Sequence, residues 1–417
     1  MSDVPMILIE GANIIDCAVA GHVTSGGALL IEGEEIRAVG SREEVLAQLG
    51  EAEAQRVDVN GGFVIPGLWD CHIHLGAAET PHDEAYAHEL PAHQMLRSIR
   101  KAQDNLRCGI TSLRALGDPF SHDIMLREAI DAGEIEGPRI FAAGNVWWSR
   151  SAAGEVEFRR CVRQMIQDGV DQVKLLSSGG IPWRSDTIGY GLHTKEEIAA
   201  AVDEAHSWGK PVAVHAMGDE TVVGAAEAGA DTVEHGFVVT ERGLAAMAEA
   251  NTIYCPNLTV TVAWDPARLA AKGYPSWFVR NAAEAASRHH AMFREAVRLG
   301  ITVITGVDDL PEGRRPVGIE MHDDRVALWS EIELMARNGL SNGEALLAAT
   351  RNAAASVRAS DRLGTLEAGK LADFVVLKRN PVEDLAALAT VQSVWKGGKK
   401  IRLEPGLEPG WHGGGLP

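Results

Sequence analysis

Cysteine is scarce and scattered. The 417 residues contain five, Cys17, Cys71, Cys108, Cys161 and Cys255, with no Cys-x-x-Cys pair. That spacing excludes a dense disulfide framework and fits a reducing compartment. Positive charge is also short: 39 Lys+Arg against 58 Asp+Glu leave a formal net charge of −19. A field of that sign repels phosphate, so neither a nucleic acid nor an anionic membrane is expected as partner. No apolar run approaches the ~18 residues of a membrane helix. The opening segment Met1 to Glu10 has neither the basic stretch nor the long apolar core of a secretory leader, and the expectation is a cytoplasmic chain. What is present is globular in character. With 46% hydrophobic and 23% charged residues the chain can bury a full core, and its length admits one barrel-sized domain plus a small one.

Short β-rich pieces at the two ends, among them Ala28 to Ile31, Ile36 to Val39, Ala372 to Leu377 and Val391 to Trp395, are punctuated by glycine turns. They predict a small β-sandwich built from residues 1–62 together with 363–417, whose sheet edges favour a homo-oligomer. The Gly/Pro-rich tail after Arg402 is assigned no structure. Residues 63–362 alternate short apolar strands with Ala/Glu/Arg-rich helical stretches, a pattern that requires crossover helices and a parallel sheet. Eight strand candidates, at 63–69, 109–115, 139–143, 171–177, 211–216, 231–235, 252–256 and 301–306, predict an α/β fold, a (β/α)8 TIM barrel. The 257–300 gap holds more than one helix.

Polar residues suited to metal binding recur at the strand ends. The first strand closes Asp70-Cys71-His72-Ile73-His74, and residues two apart on a strand share a face. Such a pair alone also fits an ordinary core or surface position. His215 ends the fifth strand, His235 the sixth and Asp308 the eighth, at roughly 33 residues per βα step, so that in a barrel all would meet on the face where active sites sit. Lys174 interrupts the apolar fourth strand. It fits either a lysine snorkelling to solvent or one that loses its proton among cations and takes up carbon dioxide as a carbamate.

His72-Ile73-His74, Lys174, His215, His235 and Asp308 together resemble the binuclear amidohydrolase superfamily. Val173 to Gly180, Gly209 to Ala216 and Leu363 to Asp373 are similar to its imidazolonepropionase-like and prolidase-like branch. The resemblance covers nearly the whole chain. It implies two divalent ions, with zinc the expected metal, the first held by His72, His74 and Asp308, the second by His215 and His235, and both bridged by carboxylated Lys174. Asp308 would be the catalytic base as a hydroxide shared by the metals attacks the carbonyl. The sequence reads Gly306-Val307-Asp308-Asp309 where the branch commonly has Gly-Thr-Asp, so Asp309 is a rival carboxylate. The mononuclear deaminases lack the lysine and carry a glutamate soon after the fifth-strand histidine. Here Ala216-Met217-Gly218 follow His215, which speaks against deamination.

Trp147, Trp148, Trp183 and Trp264 fall in the loops above the strand ends, where they suit either an aromatic pocket or rim packing. Arg184 and Tyr190 are candidate grips for a substrate carboxylate, and Trp148, Trp183 and His122 candidate pocket residues. His82, His88 and His93 suit the pocket or solvent, and His289 and His290 a solvated helix face. The expected activity is metal-dependent cleavage of a C–N amide bond in a small molecule with an aromatic or bulky apolar group, such as a dipeptide, an N-acyl amino acid or an ochratoxin-type aryl amide. Ring opening of a cyclic amide is the rival chemistry, and a non-catalytic oligomeric scaffold the rival class.

Overall fold

A computed structural model describes residues 5–76, 90–184, 188–308 and 327–402 of the chain. His82, His88, Asp309 and the tail beyond residue 402 lie outside these. The terminal segments supply β1 (Met6–Ile14), β2 (Thr24–Glu32), β3 (Glu35–Ser41), β4 (Gln55–Asp58), β5 (Phe63–Pro66), β13 (Phe374–Leu377), β14 (Val391–Lys396) and β15 (Lys399–Lys400). Hydrogen bonding joins them in the order β15-β14-β13-β5-β1-β2-β3, with β4 on β1. It makes one sheet and does not by itself divide the strands into the two layers of a sandwich. Alternation gives each strand two faces. Leu8 and Leu30 pack with Val45 and Leu49 of the helix Arg42–Leu49, while Ile9, Ile31, Val64 and Val376 pack around the stacked rings of Phe374 and Trp395.

The strand expected over residues 63–69 is two strands. β5 pairs with β13 and β1 in the terminal sheet, and the chain then turns at Gly67 into β6 (Leu68–Ile73). Pro66 has no N–H to extend the ladder, and a Cβ at Gly67 would overlap the Thr111 side chain.

β6 pairs in parallel with β7 (Ile110–Ala115), and β7 with β8 (Arg139–Phe141). A second parallel sheet contains β9 (Val173–Leu176), β10 (Val212–Ala216), β11 (Thr232–His235) and β12 (Ile253–Cys255). β6, β7, β9, β10 and β11 are buried along their whole length, as parallel strands covered on both faces must be. Backbone bonds outside the ladders tie the two sheets, among them Asp171 N to Ala142 O (2.8 Å) on one side, and on the other Ile304 N to Tyr254 O (3.0 Å) and Cys71 N to Thr305 O (2.9 Å). The eighth expected strand is reduced to a bridge between Tyr254 and Val303. The domain is α/β and TIM-barrel-like. Its crossover helices start on recognisable caps: Thr194 and Glu197 form a capping box for Lys195–Ser207, which stops before Gly209 at φ +71°.

The 257–300 segment folds as four helices, Leu258–Ala263, Pro266–Ala271, Ser276–Ala286 and His289–Arg298. Among the described residues no helix is long and apolar enough to cross a membrane.

Candidate metal centre

The strand ends bring His72, His74, His235 and Asp308 together. Asp308 Oδ1 stands 3.4 Å from His72 Nε2 and 3.3 Å from His74 Nε2, and its Oδ2 is 3.9 Å from His235 Nδ1. The His235 ring lies 4.7 Å from that of His72 and 4.6 Å from that of His215. Backbone bonds fix the approach: Asp308 N donates to His72 O (2.7 Å), while the Asp70 carboxylate accepts from His72 N and Val307 N. Asp308 and His235 both have left-handed backbones, φ +55° and +75°, a strained conformation for non-glycine residues that clusters at functional sites. At His235 the turn ends the strict alternation of β11, so that His235 and its neighbour Glu234 both reach His72.

Each of three imidazoles is steered through its other nitrogen. His74 Nδ1 donates to Gly117 O (2.7 Å) and His215 Nε2 to Gly179 O (3.0 Å), since a carbonyl can only accept. His72 Nδ1 meets Glu234 Oε2 at 2.9 Å. Glu234 is buried and gripped by Arg114, whose Nη2 lies 2.8 and 2.9 Å from its two oxygens, while Arg114 Nε donates to Cys71 O. Burial alone would push the Glu234 carboxyl up; Arg114 and Lys174 hold it below the usual carboxylate range. Burial also drives His72 and His235 well below the ordinary histidine value and His215 down to about 3, leaving the neutral imidazoles that metal coordination requires. Lys174 is fully buried on β9 and lowered to about 8, chiefly by desolvation and against the pull of Glu234 and Asp308.

The donor set fits divalent ions. Ligand atoms about 2.0–2.1 Å from a tetrahedral centre lie about 3.3–3.4 Å from one another, which is the spacing of Asp308 Oδ1 from the two Nε2 atoms. Lys174 Nζ and His235 Nδ1 are buried and have no hydrogen-bond partner among the described residues. Two such orphans are costly unless something else satisfies them.

Around this centre the tryptophans divide. Trp183 stacks on His215 (5.4 Å, 24°), whereas the indole of Trp148 packs against Phe158 with its Nε1 on Met165. Trp264 is buried against Phe278 in a cluster with Ile181, Ile188, Met217 and Phe237, through which the first three helices of 257–300 pack onto the loops above β9, β10 and β11. Arg184 and Tyr190, the latter 71% exposed, have no side-chain hydrogen bond to the centre among the described residues. His93 is exposed on the helix Pro91–Arg107. His122 is buried, its unpartnered Nδ1 beside Gly76. The solvated helix face expected for His289 is a correction: His289 is fully buried, its Nδ1 3.0 Å from Thr261 Oγ1 and its ring 4.6 Å from Phe237, which in turn packs on His235. Arg114 and Glu234 escaped sequence reasoning. Their signal was there, in an arginine inside an apolar strand and a carboxylate directly before a ligand-type histidine.

The family match and the relatives together mark a hydrolase acting on carbon–nitrogen bonds. The amidohydrolase family model matches residues 63–401, and the chain belongs to that family. It is 28% identical to the ochratoxinase of Aspergillus niger, an alignment covering 93% of this chain and 85% of that enzyme. The imidazolonepropionase of Symbiobacterium thermophilum is also 28% identical, over 85% of this chain and 84% of the relative. Among solved structures, a Xaa-Pro dipeptidase with bound methionine superposes with a TM-score of 0.83 at 28% identity, covering 95% of this chain and 99% of its own. These likenesses support hydrolysis of amide bonds within the imidazolonepropionase-like and prolidase-like branch.

Proposed function

We propose that the protein is a dinuclear metal-dependent amidohydrolase that cleaves the amide of a small molecule with an aromatic or bulky apolar group, as in a dipeptide, an N-acyl amino acid or an ochratoxin-type aryl amide. The reading rests above all on Asp308 Oδ1, placed 3.3–3.4 Å from two imidazole nitrogens whose rings are held from behind. His72, His74 and Asp308 would hold one ion, His215 and His235 the other, with zinc the expected metal. Lys174, without a hydrogen-bond partner among the described residues, would bridge them after its neutral amine adds to carbon dioxide, forming an N–C bond and releasing one proton. Two bound cations would polarise the scissile carbonyl and make water nucleophilic at neutral pH. The protein's own share is positional and protolytic: Asp308 accepts the proton of the attacking water and passes it to the leaving amine, while Glu234 and Arg114 keep His72 in the tautomer with Nε2 free. We infer further that β6 to β12 and the Val303 bridge close as a barrel. The similarity to imidazolonepropionase keeps cyclic-amide opening as the second reading.

The test is metal content per chain after expression with zinc or manganese and bicarbonate, beside Lys174→Ala, with an amide panel. Two ions in the wild type, fewer in the variant and loss of hydrolysis are expected. One ion or none, indifferent to Lys174, would remove the bridged centre.

A further inference from the structure

Arg150 is the feature of the molecule that neither packing nor the metal centre absorbs. The arginines before and after it in sequence are paired: Arg114 with Glu234, Arg139 with Asp373, Arg159 with Asp203, Arg163 with Glu204. Arg150 is exposed and has no carboxylate partner among the described residues, in a chain with a large excess of acid. What it has is aromatic: its guanidinium carbon lies 4.2 Å from the ring centre of Trp183 and 5.7 Å from that of Trp147.

The mount is rigid. Arg150 ends the 3-10 turn Trp147–Arg150, and the buried Ser149 in that turn accepts Leu176 N (3.1 Å), fastening it to the end of the strand that carries Lys174. The loop of Trp183 is held from the other side by the buried Asn281, whose Nδ2 donates to Ile181 O and Trp183 O. Trp183 in turn stacks on His215. A guanidinium held over an aromatic ring spends none of its hydrogen bonds there, and its N–H groups form the fork that fits a carboxylate.

We propose that Arg150 recognises a free carboxylate on the substrate, so that the amides cleaved are those of amino acids with an unblocked carboxyl group. The proposal rests on the amidohydrolase reading of the site and narrows its substrate class. It also moves the carboxylate grip from Arg184 and Tyr190, expected from sequence, to the preceding loop.

The test compares N-benzoyl-phenylalanine with its carboxamide in wild type, Arg150→Met, Arg150→Lys and, as a control, Arg160→Met, whose residue pairs with Glu157 on the neighbouring helix. The readout is the ratio of kcat/KM for acid over carboxamide. A charge-assisted forked bond predicts a wild-type ratio of roughly tenfold or more, carried mainly by KM. It should collapse in Arg150→Met, recover in part in Arg150→Lys and persist in Arg160→Met. A merely structural Arg150 would lower both substrates together and keep the ratio. A ratio near one in the wild type, or one unchanged in Arg150→Met, overturns the proposal and leaves amide hydrolysis standing. If neither compound is hydrolysed, the hydrolytic reading fails for this substrate class, and calorimetric titration of the same pair decides for Arg150: tighter binding of the acid, lost in Arg150→Met, supports it, and equal or absent binding of the acid refutes it.

Discussion

The Arg114–Glu234–His72 chain makes a prediction that separates folding from catalysis. Glu234→Gln keeps the shape of the side chain but removes the charge facing Arg114, whose guanidinium is completely buried. Breaking a buried ion pair from one side costs about 3–5 kcal/mol, because the remaining charge stays desolvated without a partner. At about 2.1 cal/mol/K per residue, a chain of this length would lose about 3 to 6 °C in Tm. Replacing both partners, Arg114→Met with Glu234→Leu, removes the stranded charge and should recover most of that stability. Activity should not recover, because His72 Nδ1 has still lost its acceptor and the imidazole is free to change tautomer or rotate. The assay is a double-mutant cycle over Arg114→Met and Glu234→Leu in urea, with Glu234→Gln measured beside it, together with kcat/KM on one amide. A single variant costing under about 1 kcal/mol would refute the reasoning. So would a double variant as unstable as the two singles added, or one whose activity returns with its stability.

Two further perturbations act on other parts of the same architecture. Glu331 is fully buried and accepts from Leu258 N and Thr259 N at 2.8 Å each; desolvation, only partly offset by those bonds, raises its carboxyl from 4.5 to about 7. The folded chain therefore holds this proton more tightly than the unfolded one, so its stabilising effect is complete below about pH 4.5 and lost as pH rises through 7. The stability of wild type relative to Glu331→Gln should fall by an amount on the order of 3 kcal/mol between pH 5 and pH 8 in urea melts, and an equal difference at both pH values would sink the argument. Gly306→Ala would place a Cβ 2.7 Å from both Cys255 Sγ and His72 Cβ and 2.9 Å from Asn257 Nδ2. We expect a loss of about 1–3 kcal/mol and a larger fall in metal content, since Asp308 lies two residues on; full metal occupancy in that variant would show that the strand end tolerates the shift.

How much of this was legible in the sequence depends on which kind of regularity carried it. The alternation of apolar strands with helical stretches announced an α/β chain, and the spacing of His72 and His74 placed both imidazoles within reach of one carboxylate, as they are at Asp308. Period-two reasoning failed where the backbone leaves the strand. At His235 a left-handed φ lets two consecutive residues approach the same histidine, so Glu234 could not be recognised as His72's partner. A histidine pair in a polar helix looks solvated, whereas this helix packs the His289 ring against Phe237. The division between β5 and β6 was hidden because Phe63 to Trp69 is one apolar run, and only pairing partners reveal that it serves two sheets.

That division has a consequence for the order in which the molecule can be made. β5 and β6 are separated by Gly67 alone, so the strand that carries His72 is spliced directly to one whose longer pairing partner is β13, more than three hundred residues later in synthesis. Before Phe374 to Leu377 leaves the ribosome, β5 rests only on its short contact with β1. β6 can find its register on β7 early, but the junction that leads into it is closed only when β13 has been made, so a nascent protein carries its first histidine pair well before the terminal sheet can anchor it.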